Sequence, residues 1–208
     1  MRISRRDFVG SVAALRTIVP VPAPSWRVLD LGRECVLPES VAGFCGMGIP
    51  ACREPLEGQE CQSYVIPGVG ALSEDLIRRL AASTGGGGWV VFESAAGFGG
   101  FDVQCRMLAG HFGIRIQPPV DLWADGSAPY IAYRWPVRER VRDFSRATPV
   151  SADGLEIIGR AGNIPVAARR GRFIFLGSPL GPALLAGDRE ARSWFRALCG
   201  LEANWQLR

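Results

Sequence analysis

The chain has 208 residues, 48% of them hydrophobic and 21% charged, with 24 basic residues against 20 acidic ones. It is therefore an ordinary globular chain with enough apolar residues for one domain and a sizeable core. No run reaches the ~18 consecutive apolar residues of a spanning helix, which excludes an integral membrane segment.

Residues 1–25 include Ser4-Arg5-Arg6-Asp7-Phe8-Val9, a polar residue and two arginines followed, after one more residue, by two apolar ones. A short apolar stretch and the small residues Ala23-Pro24-Ser25 follow, so the segment reads as a twin-arginine export signal leading to a periplasmic or other extracytoplasmic location. The competing reading is a cytoplasmic N-terminal arm. Four arginines against Asp7 in this segment carry three of the four net positive charges, so cleavage leaves residues 26–208 close to neutral. Such a domain has no electrostatic reason to bind nucleic acid or an anionic membrane.

Residues 26–31 read as a first strand ending in Asp30, and residues 38–44 suit a short helix. A lone acid at that place is more often a cap than a catalytic group. Cys35, Cys45, Cys52 and Cys61 are separated by nine, six and eight residues. They lack the CxxC pairing of zinc or cluster sites, so no metal is expected. One disulfide among the four fits an exported chain, and free thiols fit one kept inside.

The centre of the chain is residues 64–98. The apolar run 64–66 is broken by Pro67-Gly68-Val69-Gly70, predicting a strand and a tight loop. Ser73, Glu74 and Asp75 then open a helix whose stripe is Leu76, Ile77 and Leu80, with Gly85 as its stop. Residues 89–92 give a second strand. The unit reads as βαβ with parallel strands in a sheet covered on both faces. Ligands of such sheets lie beyond the carboxyl ends of the strands, which here carry Gly68, Val69 and Gly70 on one loop and Glu93 and Ser94 on the other.

Further on, Phe101, Cys105, Leu108 and Phe112 lie at helical spacing. His111, the single histidine, reads as a capping or partly buried residue. Residues 114–146 are punctuated by Pro118-Pro119, Asp125-Gly126 and Pro129, and suggest an insertion over the top or edge of the sheet. Its Asp121, Trp123, Tyr130, Tyr133 and Trp135 can line a sugar-like ligand or simply pack on the core, the commoner outcome. The five arginines between 134 and 146 are interleaved with Glu139 and Asp143 and read as a solvated face. Apolar runs at 154–158, 164–168 and 173–176 suggest a small antiparallel extension. A last helix has Asp188 as cap, Ala191, Trp194, Phe195 and Leu198 as stripe, and Gly200 as stop.

The PGxG turn, the helix, the Gly-rich turn and strand of residues 85–98 with Ser94 at a sharp elbow, residues 108–112, and the hairpin of residues 164–177 together resemble the class I glutamine amidotransferase-like superfamily. Within it the chain is most similar to the ThuA-like branch, linked to trehalose utilisation, over residues 26–201. The resemblance implies an α/β fold, a flavodoxin-like three-layer sandwich with a mostly parallel central sheet. It also shows what is missing. Amidotransferases carry a cysteine where Ser94 stands, and a His and Glu after the last core strand, where this chain has Gly177-Ser178-Pro179-Leu180. ThuA-like proteins carry histidines at the places of Glu93 and Ser178.

Two functions follow from this pattern. One is a non-catalytic amidotransferase-like domain that binds a small polar or sugar-like ligand, without cofactor, through Asp30, Gly68, Val69, Gly70, Glu93, Ser94 and Ser178. Such domains also serve as oligomerisation modules in β-galactosidase-type enzymes, which implies a protein partner or homo-oligomer. The other is a hydrolase of atypical design with Glu93 as base and Ser94 as nucleophile. It lacks an activating histidine and the glycine that relieves crowding before an elbow serine.

Overall fold

A computed structural model describes residues 26–32, 35–55, 62–70, 72–123, 130–143 and 146–205, with the backbone alone for 201–205. The expected export signal, Cys61, Asp125, Gly126 and Pro129 lie outside them.

The chain opens with β1 (Trp26–Leu29), α1 (Pro38–Cys45) and the two-residue β2 (Ala51–Cys52). The central unit follows as β3 (Ser63–Val69), α2 (Glu74–Gly85) and β4 (Val90–Ser94). Ser73 caps α2 by accepting the Leu76 amide at 3.3 Å, and Glu74 and Asp75 occupy its first turn, as the sequence predicts. After a 3₁₀ turn at Ala96–Phe98 comes α3 (Phe101–Met107), continued by a π turn, Leu108–Phe112. Then come β5 (Tyr130–Tyr133), β6 (Glu139–Arg142), β7 (Glu156–Ala161), β8 (Ile164–Arg170), β9 (Phe173–Leu176), α4 (Gly181–Leu185) and α5 (Arg189–Trp205).

Among the described residues the nine strands join one mixed sheet in the order β2-β1-β3-β4-β9-β8-β7-β5-β6. Pairings from β2 through β9 are parallel, and those from β9 through β6 are antiparallel. This is a parallel core with an antiparallel wing, as in flavodoxin-like folds. Strand alternation divides the core in two. Val28, Val65, Val91 and Ile174 pack with Phe44 of α1, Leu184 of α4, and Trp194 and Phe195 of α5. Tyr64, Ile66, Phe92 and Phe175 pack instead with Ile77 and Leu80 of α2, Met107 of α3, and Phe112.

Several expectations are corrected. Pro67-Gly68 is not a loop but part of β3. The register against β4 shifts between Ile66 and Val69, and Gly68 has a φ of +42°, so a bulge accommodates the proline inside an interior strand. The predicted strand at 89–92 is displaced to 90–94, which makes Glu93 and Ser94 its last two residues. The expected insertion at 114–146 supplies two strands, β5 and the edge strand β6. Gly200 does not end α5, which runs on to Trp205, and the short α4 has no counterpart in the expected elements. His111 is exposed.

Candidate functional site

The parallel strands bring the predicted residues to one edge of the sheet. Val69 is the register partner of Ser94. The backbone of residue 35 bridges to Val69, and the Val36 amide donates to the Gly68 carbonyl at 2.8 Å. Gly100 presses against the Gly70 backbone so closely that a Cβ would meet the Gly70 oxygen at 2.8 Å. Glu93, Ser94, Val69 and Ser178 are all buried.

Each polar side chain is engaged by the protein itself. The Ser94 hydroxyl lies 3.0 Å from Gln104 Oε1 and 3.2 Å from Thr148 Oγ1, and it accepts the Ala96 amide at 3.2 Å. Gln104 in turn donates Nε2 to the Val69 carbonyl at 2.6 Å. Gln104 thus ties the end of β3 to the end of β4 through α3. Neither Gln104 nor Thr148 was picked out in the sequence, although Gln104 is a polar residue next to the apolar stripe of α3, a pattern that signals a buried partner.

Glu93 points to the opposite face. Its Oε1 accepts the amides of Leu180 at 2.7 Å and Gly181 at 2.8 Å, so the carboxylate closes the first turn of α4. Neither Glu93 Oε2 nor the neighbouring Ser40 Oγ closes a hydrogen bond with a described residue. Burial pushes the Glu93 carboxyl up from its ordinary 4.5 to about 7, against the opposing pull of the Gly181 and Leu180 amides. Glycine makes this packing feasible: a Cβ on Gly43 of α1 would meet the Gly181 carbonyl oxygen at 1.9 Å, and one on Gly181 would meet Ser40 Cα at 2.3 Å.

Ser178 donates its hydroxyl to Asp143 Oδ1, a fully buried acid that the sequence had assigned to a solvated run. Burial, followed by the charges of Glu93 and Asp143, raises the pKa of Tyr133, which places its phenol in the field of both acids. Asp30 turns back on its own loop and accepts the Gly32 amide at 3.0 Å. Cys35 Sγ lies 3.5 Å from the Pro67 carbonyl, and burial raises its pKa, with Glu93 and Asp30 adding to the effect and the Leu37 backbone opposing it.

Two open concavities lie away from these residues. A groove of about 700 Å³ is lined by Ala132, Tyr133, Arg134, Arg138, Glu139, Arg140 and Glu190. A smaller one of about 260 Å³ is lined by Ala109, Gly113, Arg115, Ser151, Asp153 and Arg170. None of the seven strand-end candidates lines either. Trp123 and Tyr130 are exposed, whereas Tyr133 is buried against Trp194 with ring centroids 4.7 Å apart. The half-buried Trp135 accepts the Trp194 indole N–H at its carbonyl, 2.8 Å away. Cys35, Cys45, Cys52 and Cys105 form no disulfide with any described residue. No helix among the described residues is long and apolar enough to cross a membrane.

No family model matches the sequence, and no curated protein matches it. Solved structures do share its fold. The exo-β-1,4-mannosidase Op5Man5 from Opitutaceae bacterium strain TAV5 superposes with a TM-score of 0.60 at 13% identity, over 86% of this chain and 36% of that one. The α-L-fucosidase isoenzyme 2 from Paenibacillus thiaminolyticus gives 0.60 at 10% identity, over 85% and 32%. A glutamine amidotransferase gives 0.54 at 15% identity, over 84% of this chain and 98% of that one. The chain therefore spans about a third of the length of these glycoside hydrolases but nearly a whole amidotransferase. At these identities the likeness concerns architecture alone, and it shows that this chain shares the α/β fold of a glutamine amidotransferase.

Proposed function

We propose that the chain is a non-catalytic, ThuA-like member of the amidotransferase-like group, with its sheet as the middle of three layers. It acts as a ligand-binding or assembly module in a carbohydrate-related setting, outside the cytoplasm after twin-arginine export. One observation carries this reading. The residue at the nucleophile's place, Ser94, is 2% exposed and holds Gln104, Thr148 and the Ala96 amide, with no base among those partners. A serine nucleophile needs a base at hydrogen-bond distance and a path for substrate. The glycoside hydrolases in which this fold forms about a third of the chain support the carbohydrate-related setting and a partner-bound role.

The alternative, a hydrolase using Glu93 and Ser94, draws support from one fact: a carboxyl with a pKa of about 7 is poised for general-base work. Against it, Glu93 faces α4 while Ser94 faces α3 and Thr148. The test is a screen of the purified chain against esters, amides and glycosides, alongside Glu93→Gln and Ser94→Ala, with molar mass measured by light scattering. No turnover and a defined oligomer or complex is the expected result. Turnover abolished by either substitution would establish the hydrolase.

A further inference from the structure

The five arginines from 134 to 146 look diluted by acids when read along the chain, but the sheet sorts them. In β5 and β6 the register pairs Tyr130 with Arg142 and Ala132 with Arg140, and continuing it sets Arg134 opposite Arg138. Alternation then puts Tyr130, Ala132, Arg134, Arg138, Arg140 and Arg142 on one face. Glu139 pairs with Tyr133 on the other face, and Asp143 is buried against Ser178. All six side chains of the first set are exposed. Arg160 of β7 joins them as the register partner of Ala132.

Like charges this close repel, and strands about 4.8 Å apart with same-face residues about 7 Å apart leave them nowhere to diverge. Arg134, Arg138 and Arg140 form no salt bridge with any described residue. Two of the guanidinium groups are held on aromatic rings, Arg140 at 5.0 Å from the Tyr130 centroid and Arg142 at 5.6 Å from that of Trp123. A guanidinium stacked on a ring keeps its donor fork aimed outward and loses less freedom when it meets a carboxylate. A groove of about 700 Å³ takes in Arg134, Arg138 and Arg140 of this face, and Glu139 of the other face and Glu190 also border it.

The geometry points to this face as a binding site for an extended acidic saccharide. The carboxylates of successive uronate units would be taken by the arginine forks, and the sugar rings would lie along the strands over Ala132. Recognition of a polyanion rests on the face itself, and its being a sugar rests on the carbohydrate-related reading above. Glu139 and Glu190 at the same groove repel closely packed anions, which favours a single chain with spaced charges over a densely charged duplex.

The test is calorimetric titration of the full chain with oligogalacturonate at low salt. Saturable binding is expected, weakening as salt rises, falling at least about tenfold in Arg138→Gln/Arg140→Gln and further in Arg140→Glu. Arg115→Gln, in the smaller groove, leaves it unchanged. These side chains are exposed, and an unaltered melting temperature certifies the folded variants. No binding up to about 10 mM ligand, equal binding by the double variant, or equally tight binding of single-stranded DNA or polyglutamate overturns the proposal. Binding of neutral maltoheptaose but not galacturonate also overturns it while sparing the carbohydrate-related reading. Turnover at Glu93 and Ser94 would remove the non-catalytic reading and leave this face untouched.

Discussion

Glu93→Gln gives the sharpest test of how the strand-end polar groups work. The carboxyl is fully buried, and its proton is released near pH 7 in the folded chain against 4.5 ordinarily. Between those values the folded state holds a proton that the unfolded state has lost, so stability falls as pH rises through that window. The displacement corresponds to about 3 kcal/mol, at about 1.4 kcal/mol per tenfold in the proton equilibrium. A glutamine can still accept the Leu180 and Gly181 amides through its oxygen, but it does not titrate. Urea unfolding of both proteins at pH 5, 6, 7 and 8 isolates the group, because all other titrations cancel in the difference. The variant should gain on the native chain by about 2 to 3 kcal/mol from pH 5 to pH 8, slightly less than the full displacement because the unfolded carboxyl is already mostly ionised at pH 5, a relative midpoint change of about 1 to 2 M. Parallel pH profiles would refute the reasoning, since they would mean that Glu93 stays ionised throughout.

Three further outcomes follow from the packing. Gly43→Ala drives a methyl into the Gly181 carbonyl and should cost about 3 kcal/mol or more, seen as a large fall in melting temperature. Ser94→Ala leaves Gln104 and Thr148 short of a partner and should cost about 1 to 3 kcal/mol in denaturant unfolding. Asp188→Ala removes the oxygen that accepts the Ala191 amide at 2.8 Å and should cost about 1 kcal/mol by the same measurement.

Much of the parallel core was legible because its signals are local. Ser73, the acids after it and the stripe through Ile77 and Leu80 define α2 without help from the rest of the chain. Pro67 misled because a proline normally ends an interior strand, and only the bulge at Gly68, set by the neighbouring β4, permits it. β5 and the edge strand β6 hid behind arginines and prolines, since a sheet face left to solvent carries charge where a buried one carries valine. The strand-end residues were legible as a group at one rim, but their partners were not. Glu93 meets amides 87 and 88 residues away, Ser178 meets an acid 35 residues earlier, and nothing in local pattern reports such distances.

The contact of Gly43 with Gly181 has one more consequence. What packs against Glu93 is main chain from α1 and α4 together with Ser40, whose side chain is already small. Replacing Glu93 by a histidine would therefore press an imidazole into main chain, on the face away from residue 94. Room for a bulkier group there requires α1 and α4 to move apart, a change that point substitution does not reach.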